Sequence, residues 1–309
     1  MFAHFSLLSN LAYYSRFPKY PSGQAVGQPN QWQLTIGQAE KGEVVLDHIA
    51  LVGSHGVTPE VYWKSVLPNS PMPKSLKDLL YTATETQLKD NPHVALFFLQ
   101  TDLHQGKEMS LHFIKTEEKS TFLPRKIADS IPFSSTKLPE IYNEFSVKPG
   151  STEAEIIKQT LSECESKGIE GEEKYCATSL ESMVDFSSTK LGKNLKVVST
   201  EVNSKKNTPL QKYKITIAKK LAATKAVVCH KQEYAYAVFY CHKTVSTQTY
   251  AVTMAGADGT KVNAVAVCHT DTAKWNPKHL AFQVLKVKPG TVPICHFLPE
   301  DHVVWVPYY

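Results

Sequence analysis

The sequence lacks the features that would place it in a membrane or in a complex with nucleic acid. No apolar run approaches the ~18 residues that a membrane-spanning helix requires. Charged residues make up only 20% of the chain, and the net charge of +5 at pH 7 is mild. No basic segment is interleaved with aromatic residues in the manner of a known nucleic-acid-binding module. We therefore expect neither a membrane nor a nucleic acid as a partner.

Motifs that report on metal binding or cellular location are also scarce. No Cys-x-x-Cys pair occurs, which argues against a zinc ribbon or a thioredoxin-type site. The chain has no Asn-x-Ser/Thr glycosylation acceptor, and its N-terminus lacks the basic start and clean apolar stretch of a signal peptide. Six cysteines, an even number, nevertheless fit an oxidising compartment.

Four Cys-His dipeptides organise the C-terminal part of the chain: Cys229-His230, Cys241-His242, Cys268-His269 and Cys295-His296. Ten residues separate the first two dipeptides, and 25 residues separate each later pair. The surrounding residues alternate as in a strand, for example from Val262 to Val267, and neighbours on a strand point to opposite faces. Each dipeptide can therefore send its sulfur to one face for disulfides and its imidazole to the other face for a metal.

A helical pair is predicted upstream of these dipeptides. The first helix spans Thr152 to Cys164, with a capping box between Thr152 and Glu155, and the second spans Glu172 to Phe186. Cys164 and Cys176 lie on the apolar faces near the connecting loop. We predict that they bond to each other and that the four cysteines of the dipeptides pair among themselves.

The remaining patterns are those of strands and short helices. A short helix is expected around Leu76 to Leu80, and strands are expected at Val44 to Leu51, Val94 to Leu99 and Met109 to Ile114. The pattern from Leu195 onward is that of strands, with a hairpin turn at Asp258-Gly259. The predicted fold class is α+β: one β-rich, disulfide-stapled domain with the helical pair inserted before the sheet.

The dipeptides and their spacing resemble the BURP domain of plants, whose mark is CH-X10-CH-X25–27-CH-X25–26-CH. Further segments that look like parts of this family are Thr58 to Trp63, Leu67 to Asn69, Phe97-Phe98, Asp102 to His104, Leu111 to Phe113, Trp275 to Pro277 and Val304 to Pro307. The resemblance divides the chain into a leader at 1–57 with a candidate core peptide, a pre-domain segment at 58–92 and the BURP domain at 93–309.

The resemblance and the residue types together predict a copper site of one or two ions. Disulfide-bonded cysteines cannot serve as thiolates, so the ligands would be imidazoles, which suit copper. The candidate catalytic and metal-binding residues are His230, His242, His269 and His296. His104 and His112 match histidines of the family's opening motif and are expected to complete the site. His279 is a weaker seventh ligand, and an ordinary hydrogen-bonded turn residue is the alternative.

Some BURP proteins are autocatalytic peptide cyclases, and the resemblance implies a secreted or vacuolar enzyme of that type. In these members copper and molecular oxygen cross-link a Trp or Tyr side chain of a core peptide in the same polypeptide. Such cores often begin Gln-Pro and end in Trp; here Gln28-Pro29 reaches Trp32 sooner than in those members. Tyr13-Tyr14 and Tyr308-Tyr309 are rival acceptors. One alternative is a secreted structural or regulatory seed or cell-wall protein, of the unknown-seed-protein type, whose partner would be an acidic polysaccharide. A further alternative is a copper protein that acts on an external substrate.

Overall fold

A computed structural model of the chain describes residues 58–80, 97–113, 120–168, 170–204, 208–222 and 225–308. The helices are α1 (Pro59–Val66), α2 (Lys74–Asp78), α3 (Arg125–Ala128), α4 (Leu138–Glu144), α5 (Thr152–Glu165), α6 (Leu180–Leu191) and α7 (Leu280–Leu285). The strands are β1 (Phe97–Leu99), β2 (Glu108–Leu111), β3 (Glu172–Ala177), β4 (Leu195–Ser199), β5 (Glu201–Val202), β6 (Gln211–Ala222), β7 (Val227–Gln232), β8 (Val238–Thr244), β9 (Thr247–Gly256), β10 (Lys261–His269), β11 (Ile294–Phe297) and β12 (Val303–Pro307).

These strands form two antiparallel sheets. The seven-stranded sheet has the order β1-β11-β10-β9-β6-β2, with β5 paired to β10. The five-stranded sheet has the order β3-β8-β7-β12-β4. The first two Cys-His dipeptides therefore lie on neighbouring strands of one sheet, and the last two lie on neighbouring strands of the other. The hairpin turn at Asp258-Gly259 joins β9 to β10, as the sequence predicts, and Gly259 adopts a φ of 85° there.

The α+β class and the β-rich character are confirmed, but one helix boundary is wrong. The predicted second helix begins at Leu180 rather than Glu172, and Glu172–Ala177 is a strand paired with β8. Ser179 caps the helix by accepting a hydrogen bond from the amide of Ser182, and the Ser182 hydroxyl is in turn the acceptor for the amide of Ser179. This cap fixes the start of α6, so the residues before it are free to pair with a distant strand.

The predicted disulfide between Cys164 and Cys176 is confirmed, with 5.7 Å between the two Cα atoms. It joins the end of α5 to β3, because Cys176 lies on the strand rather than on a helix. The cap of α5 also differs from the expectation. Ser151, not Thr152, accepts the hydrogen bond from the Ala154 amide.

The two sheets pack face to face through an apolar layer. Its buried members come from both sheets and from the segments next to them: Ala226, Val228, Val265, Val267, Leu298, Val304 and Val306. The opposite face of each sheet has its own core. One of these cores contains Cys229 and Cys241 and packs against α6, and the other contains Cys268 and Cys295.

The segment at 58–80 packs into the same core as the five-stranded sheet. Trp63 is 2% exposed, and its ring centroid lies 5.3 Å from that of Trp305 on β12. The indole N–H of Trp63 donates to the carbonyl of Ser70 at 2.8 Å. Leu67 and Leu76 are also fully buried in this core. The segment therefore contributes to the interior of the domain that follows it.

Candidate metal centre

The sulfurs of the four Cys-His dipeptides form two cross-strand disulfides. Cys229 lies directly opposite Cys241 on β7 and β8, and Cys268 lies directly opposite Cys295 on β10 and β11. Both pairs are bonded, with Cα–Cα distances of 3.9 and 4.0 Å. The prediction that these four cysteines pair among themselves is confirmed.

The four imidazoles of the dipeptides point to the other face of each sheet, into the layer between the sheets. His242 lies opposite Val228 and His296 lies opposite Val267, and both valines belong to that layer. Residues that lie opposite each other on neighbouring strands share a face of the sheet. These histidines therefore lie beside the valines of the apolar layer and add polar groups to it. All four are buried: His230, His242, His269 and His296.

His230 and His242 form the tighter of two histidine pairs. Their Nε2 atoms are 3.2 Å apart, and their ring centroids are 5.2 Å apart. Two nitrogens held about 2.0–2.1 Å from one metal ion lie about 2.9 Å apart at a right angle and about 3.3 Å apart at the tetrahedral angle. The observed spacing falls between these values, so this pair fits two ligands of one ion.

A fifth histidine, His302, joins this pair. Its Nδ1 is 2.9 Å from Nδ1 of His230, and the two ring centroids are 4.9 Å apart. Sequence reasoning missed His302 because it belongs to no Cys-His dipeptide. The contact arises from strand register: Val303 lies opposite Cys229, which brings the preceding residue beside His230. The pairing of β12 with β7 would have indicated this contact, but the local sequence pattern does not predict that pairing.

Glu172 is a second site residue that the sequence did not reveal. Its Oε1 lies 2.8 Å from Nδ1 of His242, at ion-pair distance rather than in hydrogen-bond geometry. The Glu172 side chain is only 4% exposed. Glu172 lies opposite Thr244, two residues from His242, so the two side chains are diagonal neighbours on one face. A carboxylate on the outer nitrogen of an imidazole is typical of histidine ligands of metals.

His269 and His296 form the second pair, on the seven-stranded sheet. Their rings are stacked, with centroids 5.7 Å apart and an interplanar angle of 17°. Trp275 contacts His269 edge-on at 5.0 Å, and Phe97 contacts His296 at 6.3 Å. The aromatic side chains thus enclose this pair, whereas polar groups surround the first pair.

His279 lies behind the second pair as the N-cap of α7. Its Nδ1 accepts a hydrogen bond from the Ala281 amide at 3.2 Å, and its ring packs against Trp275 at 4.7 Å. Burial lowers the pKa of His279 to about 4. Because Nδ1 accepts, the proton of the neutral ring lies on Nε2, which favours the capping role over a role as ligand.

His104 and His112 are not brought together with the other candidates. His104 is exposed, and its Nδ1 contacts the carbonyl of Gln105. His112 is half-buried just after β2, next to Phe113, whose ring packs on the cysteine side of the seven-stranded sheet. Among the described residues, no hydrogen bond, ion pair or ring contact joins either histidine to the four imidazoles between the sheets.

The electrostatics of the layer favour the neutral form of two of its imidazoles, those of His230 and His302. Burial lowers the pKa of His230 well below its ordinary value of 6.5. Four neighbouring imidazoles lower it further: those of His302, His242, His296 and His269. Burial also lowers the pKa of His302, although Asp301 opposes the shift. Neutral imidazoles have the lone pairs that metal binding requires.

Within the described residues, no group of three or more His, Cys, Asp or Glu side chains is arranged to hold a metal ion. The four imidazoles of the dipeptides meet in two pairs, with His302 beside the first, and their donor chemistry fits copper or zinc. Also within the described residues, no helix is long and apolar enough to cross a bilayer. Gln28, Pro29, Trp32, Tyr13-Tyr14, Tyr309 and the expected strand at 44–51 lie outside the described residues.

Comparison with known proteins identifies the domain. The BURP domain family matches residues 96–307. BURP domain-containing protein 3 of Oryza sativa subsp. japonica is 60% identical over 229 residues, which cover 73% of this chain and 53% of the relative. BURP domain protein RD22 of Arabidopsis thaliana is 59% identical over 234 residues, covering 74% and 59%. BURP domain-containing protein 5 of Oryza sativa subsp. japonica is 47% identical over 286 residues, covering 82% and 88%. The chain thus spans little more than half the length of the first two relatives.

Proposed function

The chain belongs to the BURP domain family of plants, and from this premise we propose that it is a copper-dependent oxidative peptide cyclase that acts on its own leader region. Molecular oxygen is the oxidant in this proposal. The observation that carries it is the burial of four imidazoles from the Cys-His dipeptides in one layer between the sheets. The cysteines beside them are locked in disulfides, so nitrogen ligands dominate the site.

Copper is the proposed metal because of the ligand set and the compartment. Imidazole nitrogens without thiolates suit copper(II), and three disulfides suit an oxidising compartment. We accordingly place the protein in the secretory pathway, with an extracellular or vacuolar destination. His230 and His242 would hold one ion, and His269 and His296 would hold the same ion or a second one.

The proposed reaction joins an aromatic side chain to a carbon of another residue. One hydrogen leaves each of the two bonded atoms, and two protons and two electrons pass to dioxygen, which becomes hydrogen peroxide. Bound copper would supply the one-electron steps between the ring and dioxygen. The histidine layer would exclude water from the reacting ring, because its members are buried among valines.

The candidate substrate is the segment Gln28-Pro29-Asn30-Gln31-Trp32 of the same chain. Tryptophan gives up an electron readily, and tethering makes the reaction intramolecular and independent of protein concentration. Tyr13, Tyr14, Tyr308 and Tyr309 are rival electron-rich acceptors near the ends of the chain.

The test is the intact mass of the full chain after incubation with copper(II) and oxygen, followed by fragmentation of residues 23–40. The expected result is the loss of two hydrogens within that segment. Trp32→Ala should abolish the loss while leaving copper bound, and His242→Ala should abolish both. A cross-link at a terminal tyrosine would discard Trp32 as the acceptor but keep the cyclase.

An unchanged mass with copper bound would overturn the cyclase proposal. Retention of such a protein on immobilised polygalacturonate would then support the alternative, a cell-wall protein whose positive charge meets an acidic polysaccharide. A protein that binds no copper would overturn the metal proposal as well.

A further inference from the structure

Five side chains form one continuous polar chain across the five-stranded sheet. In order they are Glu172, His242, His230, His302 and Asp301. The successive distances are 2.8 Å from Glu172 Oε1 to His242 Nδ1, 3.2 Å between the Nε2 atoms of His242 and His230, and 2.9 Å between the Nδ1 atoms of His230 and His302. The last step, from His302 Nε2 to Asp301 Oδ1, is 3.7 Å. Every imidazole in the chain thus has a polar group at both of its nitrogens.

The charged groups at the two ends favour one tautomer for each imidazole. The negative charge of Glu172, 2.8 Å from Nδ1 of His242, favours the tautomer with its proton on Nδ1, which leaves the lone pair of His242 on Nε2. At the other end, Asp301 lies 3.7 Å from Nε2 of His302, beyond hydrogen-bond distance, but its charge favours the proton on that nitrogen, so Nδ1 of His302 accepts. His230 then donates from its Nδ1, and its lone pair also lies on Nε2.

These assignments aim two lone pairs at the same gap, between His230 Nε2 and His242 Nε2. Three neutral imidazoles carry three N–H groups, whereas the chain has four contacts to fill. The unfilled contact is the central one, where a cation that accepts two lone pairs satisfies both nitrogens. The spacing of 3.2 Å already fits two ligands of one ion.

We propose that Glu172 and His302 are positioning residues that fix the tautomers of His242 and His230, so that both Nε2 atoms face one metal ion. This inference depends on the proposed metal-binding function and adds the residues that orient its ligands. Neither residue belongs to the Cys-His dipeptides. Both reach the site only through strand pairing, Glu172 on β3 and His302 at the start of β12.

Two further polar side chains lie near Glu172, those of Lys174 and Tyr240. The nearest cation on the same strand, Lys174, donates instead to the carbonyl of Glu163 at 2.7 Å and to the hydroxyl of Ser166 at 3.0 Å. The Tyr240 hydroxyl lies 3.5 Å from Glu172 Oε1, a weak contact. Of these three groups, His242 lies nearest to the Glu172 carboxylate.

Glu172→Gln tests one end of this series of five polar side chains, and Glu173→Gln is its matched control. Glu173 is the next residue on β3 but is exposed and pairs with Lys190 and Lys243. The measurement is the affinity of the full chain for copper(II) alone, by competition with a chelator. Glu172→Gln removes the carboxylate charge beside Nδ1 of His242. It should therefore weaken copper(II) binding about 10-fold or more, in the range found for such partners of histidine ligands. Glu173→Gln should leave the affinity unchanged.

His302→Leu and His302→Asn test the other end. The asparagine amide oxygen can stand where Nδ1 of His302 accepts, whereas leucine offers no acceptor. His302→Leu should weaken copper(II) binding about 10- to 100-fold. His302→Asn should recover most of that loss. Equal losses in both variants would overturn the positioning role of His302.

The second readout is the tautomer of His242 in the metal-free protein, from one-bond ¹H–¹⁵N correlations of the imidazole nitrogens. The wild-type ring should carry its proton on Nδ1, and Glu172→Gln should shift the population toward Nε2–H. A wild-type ring with its proton on Nε2 would overturn the proposal, as would unchanged copper affinity in Glu172→Gln. A wild-type chain that binds no copper would instead defeat the proposed function, and the tautomer would still decide the role of Glu172.

Discussion

Cys268 and Cys295 face each other across β10 and β11 with their Cα atoms 4.0 Å apart, and the histidine that follows each cysteine lies on the opposite face of the sheet. The disulfide therefore fixes the separation of the two backbones that carry His269 and His296. In the other sheet, Cys229 and Cys241 hold His230 and His242 in the same way. The repeated dipeptide thus combines a covalent staple with an imidazole pair.

Removing this staple should affect both stability and metal binding. Cys268→Ala/Cys295→Ala opens a loop with a sequence separation of 27, which corresponds to about 3.5 kcal/mol in the chain-entropy treatment. Freed from the covalent constraint, the two strands would hold the imidazoles less rigidly, so copper(II) affinity should fall as well. Urea unfolding and chelator competition measure the two effects.

The control is Cys164→Ala/Cys176→Ala, which opens a loop with a separation of 12 at α5 and β3. Its expected cost is about 3 kcal/mol, with little change in copper affinity. An equal loss of affinity in both double variants would show that affinity follows global stability rather than local geometry.

Alanine substitutions should separate metal ligands from other residues among the seven histidines that the sequence singles out. His230→Ala and His242→Ala should each remove most bound copper(II), because each deletes one of two nitrogens 3.2 Å apart. His104→Ala should leave bound copper unchanged, since His104 is exposed and makes no contact with the four buried imidazoles. Metal content after gel filtration is the measurement. Loss of copper in His104→Ala would restore it as a ligand.

How far the site can be predicted depends on whether a residue is placed by local alternation or by distant pairing. Alternation alone separates the sulfur of Cys229 from the imidazole of His230, and the structure confirms that division. Glu172 and His302 are different, because their positions depend on the register of β3 with β8 and of β12 with β7. Neither register leaves a mark in the nearby sequence.

The misplaced helix start has a related cause. The apolar spacing predicts a helix over the residues from Glu172 to Ala177, because Cys176 falls in phase with Leu180 and Met183. In the structure their backbone groups pair with β8, a strand more than 60 positions away (Glu172 lies opposite Thr244). Cross-strand packing decides such cases, and intrinsic propensity is weak by comparison. In the structure Ser179 and Ser182 form a reciprocal cap that fixes the boundary, and serine is a favoured N-cap residue.

The segment before the matched family domain should prove essential to its stability. Trp63 lies outside residues 96–307, yet it is buried against Trp305. Trp63→Ala should lower the free energy of unfolding by about 3–5 kcal/mol, as for other large-to-small core substitutions. Val61→Ala on the same helix is the control, because Val61 is 54% exposed and should change stability by about 0.5 kcal/mol or less. Equal effects of the two substitutions in urea unfolding would show that α1 is not part of the core.

Stability should decrease in mild acid, and His279 should account for part of that decrease. Burial lowers the pKa of His279 to about 4 in the folded protein, against 6.5 for an ordinary histidine. Between these values the unfolded chain binds more protons than the folded chain, so the free energy of unfolding falls as the pH falls. The part of the free energy of unfolding that depends on neutral His279 is fully present above pH 6.5 and is lost toward pH 4. Its total is on the order of 3 kcal/mol.

His279→Asn isolates this contribution from that of His230, whose pKa is also lowered. Asparagine keeps an acceptor for the Ala281 amide at the start of α7 but does not titrate. The variant should be less stable than the wild type at pH 7.5, because it loses the ring contact with Trp275. Its stability should nevertheless change less between pH 7.5 and pH 5, as measured by urea unfolding of the metal-free protein at both values. If both proteins lose the same free energy of unfolding over this interval, burial does not keep His279 neutral at pH 5. The capping tautomer assigned to His279 would then be wrong.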